Sequence, residues 1–174
     1  LKAYAKVPKA MYGMLLAHFG MGIFIIGVVF TSSFSEQAEQ AVKVGEKINV
    51  AGYDFILEGV GPVKGPNYDA MRGSVRVEKN EQLLTTLLPE KRIYNVQRNA
   101  MTEASIYTGV FADLYVALGE PVTQNEWGLR VYYRPFIQWI WFGCLLMALG
   151  GIVGALDGRY RAQRKTKPVN AWSL

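Results

Sequence analysis

The chain's one histidine, His18, sits inside MYGMLLAHFGMGIFIIGVVF, residues 11–30, a stretch otherwise written in apolar residues. An imidazole there has three uses. It can hydrogen-bond a neighbouring helix, for about 1–2 kcal/mol or less. It can serve another ionisable role, since charged and titratable groups inside a membrane are functional by default. Or it can be an axial ligand to haem iron, for which neutral imidazole is well suited. Ala17, Gly20, Met21 and Gly22 are small or soft neighbours that would let a flat porphyrin approach the backbone. Two-histidine ligation needs a second imidazole, which this chain lacks. Met14 and Met21 lie on the same helix as His18 and cannot reach the opposite face of one porphyrin. Either the second ligand lies on another chain or segment, or the haem is not bis-histidyl.

No other residue set carries comparable chemistry. Cys144 is the only cysteine, so no intrachain disulfide is possible. Asp54, Glu58, Asp69 and Asp113 are spaced like ordinary turn and strand-surface acids, and no catalytic residue is assigned. GVGPVKGP, residues 59–66, is glycine-rich, but its prolines break a phosphate nest and no helix follows; it reads as a loop. Arg134, in RVYYRPF, falls at a membrane surface, where it anchors to lipid phosphate or pairs with a carboxylate such as a haem propionate. Gly143, Gly150, Gly151 and Gly154 permit close helix contact, and the four-residue spacing of Gly150 and Gly154 is the small-xxx-small pattern.

The elements that must position these residues are two spans and a domain between them. Residues 11–30 and 136–156 are mostly apolar stretches of about 20 residues each, enough at 1.5 Å per residue for a hydrocarbon core roughly 30 Å thick. Backbone groups in lipid must pair internally, so both are expected as helices, with Pro135 in the first turn of the second. The net charge of +5 is not spread over a folded face, which argues against nucleic acid as a partner. Lys2, Lys6 and Lys9 form a basic head, residues 1–10, and Arg159, Arg161, Arg164, Lys165 and Lys167 a basic tail, 157–174. Residues 31–135 hold 11 basic and 13 acidic residues. Basic flanks stay cytoplasmic, so both termini are expected inside and 31–135 outside. Tyr132, Tyr133, Trp139 and Trp141 would form the aromatic belt at the outer end of the second span.

The 31–135 segment alternates as half-buried strands do: Tyr53, Phe55 and Leu57 against small or polar residues, Val75 and Val77 against Arg76 and Glu78. Gly-Pro at 61–62 and 65–66 and Gly-Glu-Pro at 119–121 are read as turns. Six to eight short strands would make a small β-barrel or β-sandwich. SSFSEQAEQAVKVGE, residues 32–46, is polar and reads as a short helix or a lead-in to the first strand. The fold expected is thus membrane α plus extracytoplasmic β, two transmembrane helices flanking the β domain. The chain begins with Leu1 and reads as a piece of something longer.

MLLAHFG in the first span, DLYVALGE at 113–120, VYYRPFIQWIWFGCLLMALGG at 131–151 and DGRYR at 157–161 resemble, in order, the C-terminal part of the CcmF family. That is the haem lyase subunit of bacterial cytochrome c maturation. The resemblance covers essentially the whole chain. It implies attachment of haem, received from a haem chaperone, to the CXXCH cysteines of apocytochrome c. It implies a b-type haem held between transmembrane histidines, with His18 matching one ligand, and quinol as electron donor. Implied partners are the rest of the haem lyase, the haem chaperone, the thioreductive and apocytochrome-binding subunits, apocytochrome c and membrane lipid, in the bacterial inner membrane with a periplasmic domain. The family's tryptophan-rich segment and its other histidines are not in this sequence, so the chain alone is not expected to be active. The competing reading is a non-catalytic two-span scaffold whose outer domain binds a partner.

Overall fold

The computed structural model describes residues 8–96, 98–123 and 125–157. Lys2, Lys6 and the whole basic tail from Arg159 on lie outside the described residues. The chain divides into a helical unit, up to Gly27 and from Trp139 onward, and a β unit, Val28–Gln138.

Two helices form from the two apolar stretches: α1, Lys9–Phe34, and α2, Ile137–Ala155. Both are long and apolar enough to cross a membrane, and few of their residues are buried. What is buried is glycine: Gly13, Gly20 and Gly27 on α1, Gly143 and Gly150 on α2, with Ile23 beside them. Each set repeats every seven residues, the period of a left-handed helix pair. A Cβ on Gly13 would lie 2.5 Å from the Gly150 carbonyl oxygen, and one on Gly20 would lie 2.8 Å from that of Gly143. With no hydrophobic drive between helices in lipid, such backbone-to-backbone contact is what holds a pair together. The seam therefore runs through Gly143 and Gly150, while Gly151 faces open space. Where α1 begins, the Ala10 amide donates to the Asp157 carboxylate at 2.9 Å. That satisfies one of the amides a helix start leaves unpaired.

Among the described residues the β unit is a sandwich of ten strands, more than the six to eight expected from the sequence. One sheet orders β1 (Glu36–Lys43), β10 (Glu126–Pro135), β9 (Ala112–Thr123) and β8 (Ser105–Thr108). The other orders β2 (Lys47–Val50), β3 (Tyr53–Lys64), β4 (Tyr68–Lys79), β6 (Glu90–Tyr94) and β7 (Ala100–Glu103). Strand β5 (Gln82–Leu87) pairs with β4 beyond the reach of β6. The polar stretch at 36–43 is a strand, held by an eight-residue antiparallel register from Glu36↔Tyr133 to Lys43↔Glu126. Two-residue turns at Ala51-Gly52 and Asn80-Glu81 have positive φ at both positions, the twist that suits a hairpin.

Alternation put the right faces inward. Phe55, Leu57, Val75, Val77, Leu114, Val116, Leu118, Leu129 and Val131 form one core between the sheets. The prolines need correction. Gly61-Pro62 and Gly119-Glu120-Pro121 are not turns but lie inside β3 and β9, so GVGPVKGP is strand up to Lys64 and turn only from Gly65. Both strands overhang a short neighbour there. Strand β2 reaches only Tyr53–Ile56 of β3, and β8 only Asp113–Val116 of β9. A missing amide is tolerated along such an edge. Tyr133 also departs from the belt expectation: it packs on the core and against Tyr53, while Tyr132 faces the other way, edge-on to Tyr115.

Candidate functional site

His18 lies on the face of α1 opposite the glycine seam. At about 100° per residue it points roughly 160° away from Gly20. It is exposed, as are Met14, Leu15, Met21, Gly22 and Ile25 around it. The helix itself fixes the ring. Nδ1 stands 2.8 Å from the Met14 carbonyl oxygen, one turn back. A carbonyl can only accept, so Nδ1 carries the hydrogen and donates it, leaving the Nε2 lone pair directed outward. Metal-binding histidines use this arrangement to fix tautomer and orientation.

The surroundings separate two roles that the sequence placed together. Gly20 and Ala17 belong to the helix seam: a Cβ on Gly150 would come 2.6 Å from the Ala17 amide nitrogen. Gly22 does not. It lies one turn beyond His18 on the same face, and an added Cβ there would meet nothing within 4 Å. A donor nitrogen aimed outward beside a glycine-floored step on an apolar helix face would suit the face of a flat, apolar macrocycle such as haem. Among the described residues no cluster of three or more histidine, cysteine or carboxylate groups could hold a metal ion.

The acids considered from the sequence are dispersed and occupied. Asp54 accepts from Lys47 at 2.9 Å and Asn49 at 2.7 Å, which holds its carboxyl below the usual range, Asn49 first. Glu58 accepts from Ser74 at 3.0 Å and pairs with Arg76. Asp69 stands opposite Lys64 in the β3–β4 ladder. Asp113 alone has a positional role. Its carboxylate takes the Gly109 amide at 3.1 Å and the Gln138 side chain at 2.8 Å, tying the β8–β9 loop to the first turn of α2. Arg134 stacks over the Tyr132 ring, 5.2 Å from its centroid.

One residue that sequence reasoning passed over is Glu90, buried at 4% exposure. It accepts from Arg72 Nε at 2.6 Å and Arg92 Nε at 2.7 Å. Arg92, then Arg72, outweigh burial and hold its carboxyl below the ordinary range. Its flanks, Leu87-Leu88-Pro89 and an Arg two residues on, are the only hint in the sequence. The sandwich also opens a largely apolar cavity of about 620 Å³ lined by Val63, Met71, Ile93 and Trp127, with the Lys91–Glu120 ion pair on its wall.

Comparison with known proteins agrees on one relationship. The sequence profile of the CcmF C-terminal beta-sandwich matches residues 33–135. The cytochrome c-type biogenesis protein CcmF of Pseudomonas aeruginosa is 45% identical over 168 residues, 97% of this chain and 26% of that protein. The Haemophilus influenzae protein of the same name is 45% identical over 90% of this chain, and that of Escherichia coli 38% over 94%. A solved structure, the cytochrome c haem lyase CcmF, shares the fold with a TM-score of 0.69 at 17% identity, over 86% of this chain and 25% of that one. The chain spans about a quarter of the length of the curated relatives it matches. With its two apolar helices flanking a β-sandwich, this chain belongs to the CcmF family of cytochrome c biogenesis proteins, as a C-terminal portion.

Proposed function

We propose that this chain is the C-terminal part of a haem lyase that attaches haem to apocytochrome c, and that His18 supplies one axial ligand of a transmembrane b-type haem. The observation that carries the reading is the single outward Nε2 of His18, with Nδ1 already spent on Met14 and Gly22 open beside it. The second ligand comes from outside this chain. When bound, the haem supplies a one-electron couple. The Met14 carbonyl would orient the imidazole, Gly22 would leave room for the macrocycle, and the flanking apolar residues would keep water from it. Substrate haem arrives from a haem chaperone, and the remainder of the lyase holds it for the cysteines of apocytochrome c. The helices span the inner membrane with both termini cytoplasmic. The sandwich lies in the periplasm, and its apolar cavity is where a partner subunit or the apocytochrome would dock.

The test is the reduced-minus-oxidised optical spectrum of the full-length protein in its membrane complex, with His18 intact, as His18→Ala and as His18→Met. Loss of the b-type bands in the alanine variant, with an altered soret and α-band in the methionine variant and equal protein in the membrane, supports ligation. Unchanged spectra return His18 to packing and favour a non-catalytic scaffold whose outer domain binds a partner.

A further inference from the structure

The β8–β9 loop, Gly109–Phe111, carries two apolar side chains beside the residues that open α2. Val110 is 70% exposed and Phe111 63%. The loop is not a loose tip. The Phe136 amide donates to the Phe111 carbonyl at 2.7 Å, and the two rings meet edge-on. Asp113 bridges the Gly109 amide to Gln138. Phe136 itself holds a φ of 55°, a left-handed conformation uncommon for an aromatic residue. Its ring stacks on Phe30, and Thr31 donates to the carbonyl of Pro135 at 2.6 Å. The junction is thus fixed from four sides, and it fixes the loop at the level of the first turn of α2.

That level is the headgroup boundary if α2 spans. Along the same strand pair, one step farther out, come the Tyr115–Tyr132 pair and Arg134 over Tyr132. Aromatic rings and a guanidinium are the side chains that settle at a lipid–water interface. The loop itself bears no charge from Ser105 to Ala112. We propose that Val110 and Phe111 insert into the outer leaflet of the lipid bilayer, as a rigid wedge held at the depth of the α2 start by Asp113 and Phe136. The occupant is lipid, because the exposed side chains are apolar, the segment from Ser105 to Ala112 carries no charge, and the aromatic rings and guanidinium beside it are those of a lipid–water interface. This rests on the spanning role of α2 and not on haem ligation.

The experiment uses nitroxide labels on the full-length protein, with Cys144 replaced by serine and any other cysteine removed, reconstituted in phosphatidylethanolamine/phosphatidylglycerol vesicles. Labels go at Val110→Cys and Phe111→Cys, at Leu145→Cys within α2, and at Val96→Cys, which is 93% exposed in the turn after β6. Collision with oxygen, which prefers lipid, is compared with collision with a water-soluble nickel chelate. Insertion predicts oxygen-dominated collision at 110, 111 and 145 and nickel-dominated collision at 96. Nickel dominance at 110 and 111 with oxygen dominance at 145 overturns the wedge and leaves the span standing. Poor access of both reagents at 110 and 111 means that another segment of protein covers the loop, and also overturns it. Nickel dominance at 145 overturns the span and the wedge with it.

Discussion

Gly20 and Gly22 lie two residues apart on α1, and the structure assigns them opposite responses to one added methyl group. A Cβ on Gly20 would meet the Gly143 carbonyl oxygen, Leu146 Cβ and the Met147 amide nitrogen, each at 2.8 Å. Ordinary contact needs about 3.5 Å between such atoms, so the helices must part by roughly 0.7 Å. A gap of that size forfeits about a quarter to a half of each contact's attraction. If the seam holds on the order of 40 atom pairs at about 0.1–0.2 kcal/mol each, the loss is about 1–4 kcal/mol, in the range for overpacking a tight core. Alanine's better helix propensity returns at most about 1 kcal/mol. Gly20→Ala is therefore expected to destabilise the helix pair by about 0–3 kcal/mol relative to the wild type, and by about 1–4 kcal/mol relative to Gly22→Ala, which shares the propensity gain. Gly22→Ala meets nothing within 4 Å and keeps only the propensity gain. The assay is reversible unfolding by sodium dodecyl sulfate in mixed micelles, followed through the fluorescence of Trp139 and Trp141 on α2. A Gly20→Ala protein as stable as Gly22→Ala would refute the seam.

Gly22→Leu is expected to keep the helix pair and yet lower the b-type haem content of the full-length complex at least several-fold, read from the pyridine haemochrome spectrum. Phe55, wholly buried, should cost about 3–5 kcal/mol as Phe55→Ala, measured by denaturant unfolding of the β domain in the intact protein. Glu90→Gln should cost about 2–3 kcal/mol at pH 7, since it weakens two charged hydrogen bonds. The folded protein holds the Glu90 carboxyl below its ordinary 4.5, so its contribution is complete above that pH and is lost as pH falls through the folded value. Acid unfolding of the wild type should therefore steepen below pH 4.5, and the difference between wild type and Glu90→Gln should shrink there.

The sequence was most readable where one rule acted alone. Uninterrupted apolar length located both helices, and alternation selected the inward faces of β3, β4, β9 and β10. It misled where a second influence overrode the first. Pro62 and Pro121 signal turns by local chemistry, but each sits where a short neighbouring strand has already ended, and nothing local reports the length of β2 or β8. Strand β1 was missed because its partner, β10, begins 90 residues after β1 itself begins, and an edge strand of mostly exposed residues shows no alternation. At the candidate site, His18 announced itself by type and setting. The division of its neighbours, Ala17 and Gly20 to the seam and Gly22 to the open face, follows from the seven-residue glycine repeat. Read as a heptad rather than as a four-residue motif, that repeat was visible on both helices.

The late arrival of β10 also governs how the domain is made. Strand β1 leaves the ribosome first, and its ladder partner follows only after the rest of the sandwich. At about 5–20 residues per second that is a delay of roughly 5–20 s, during which β1 has no strand to join. A hydrophobic strand left waiting is a seed for aggregation. EQAEQAVK, with two glutamates, two glutamines and a lysine in eight residues, is poorly suited to pair with the wrong neighbour. Its polarity serves the nascent chain: the segment stays in solution until Glu126–Pro135 arrives to take it in.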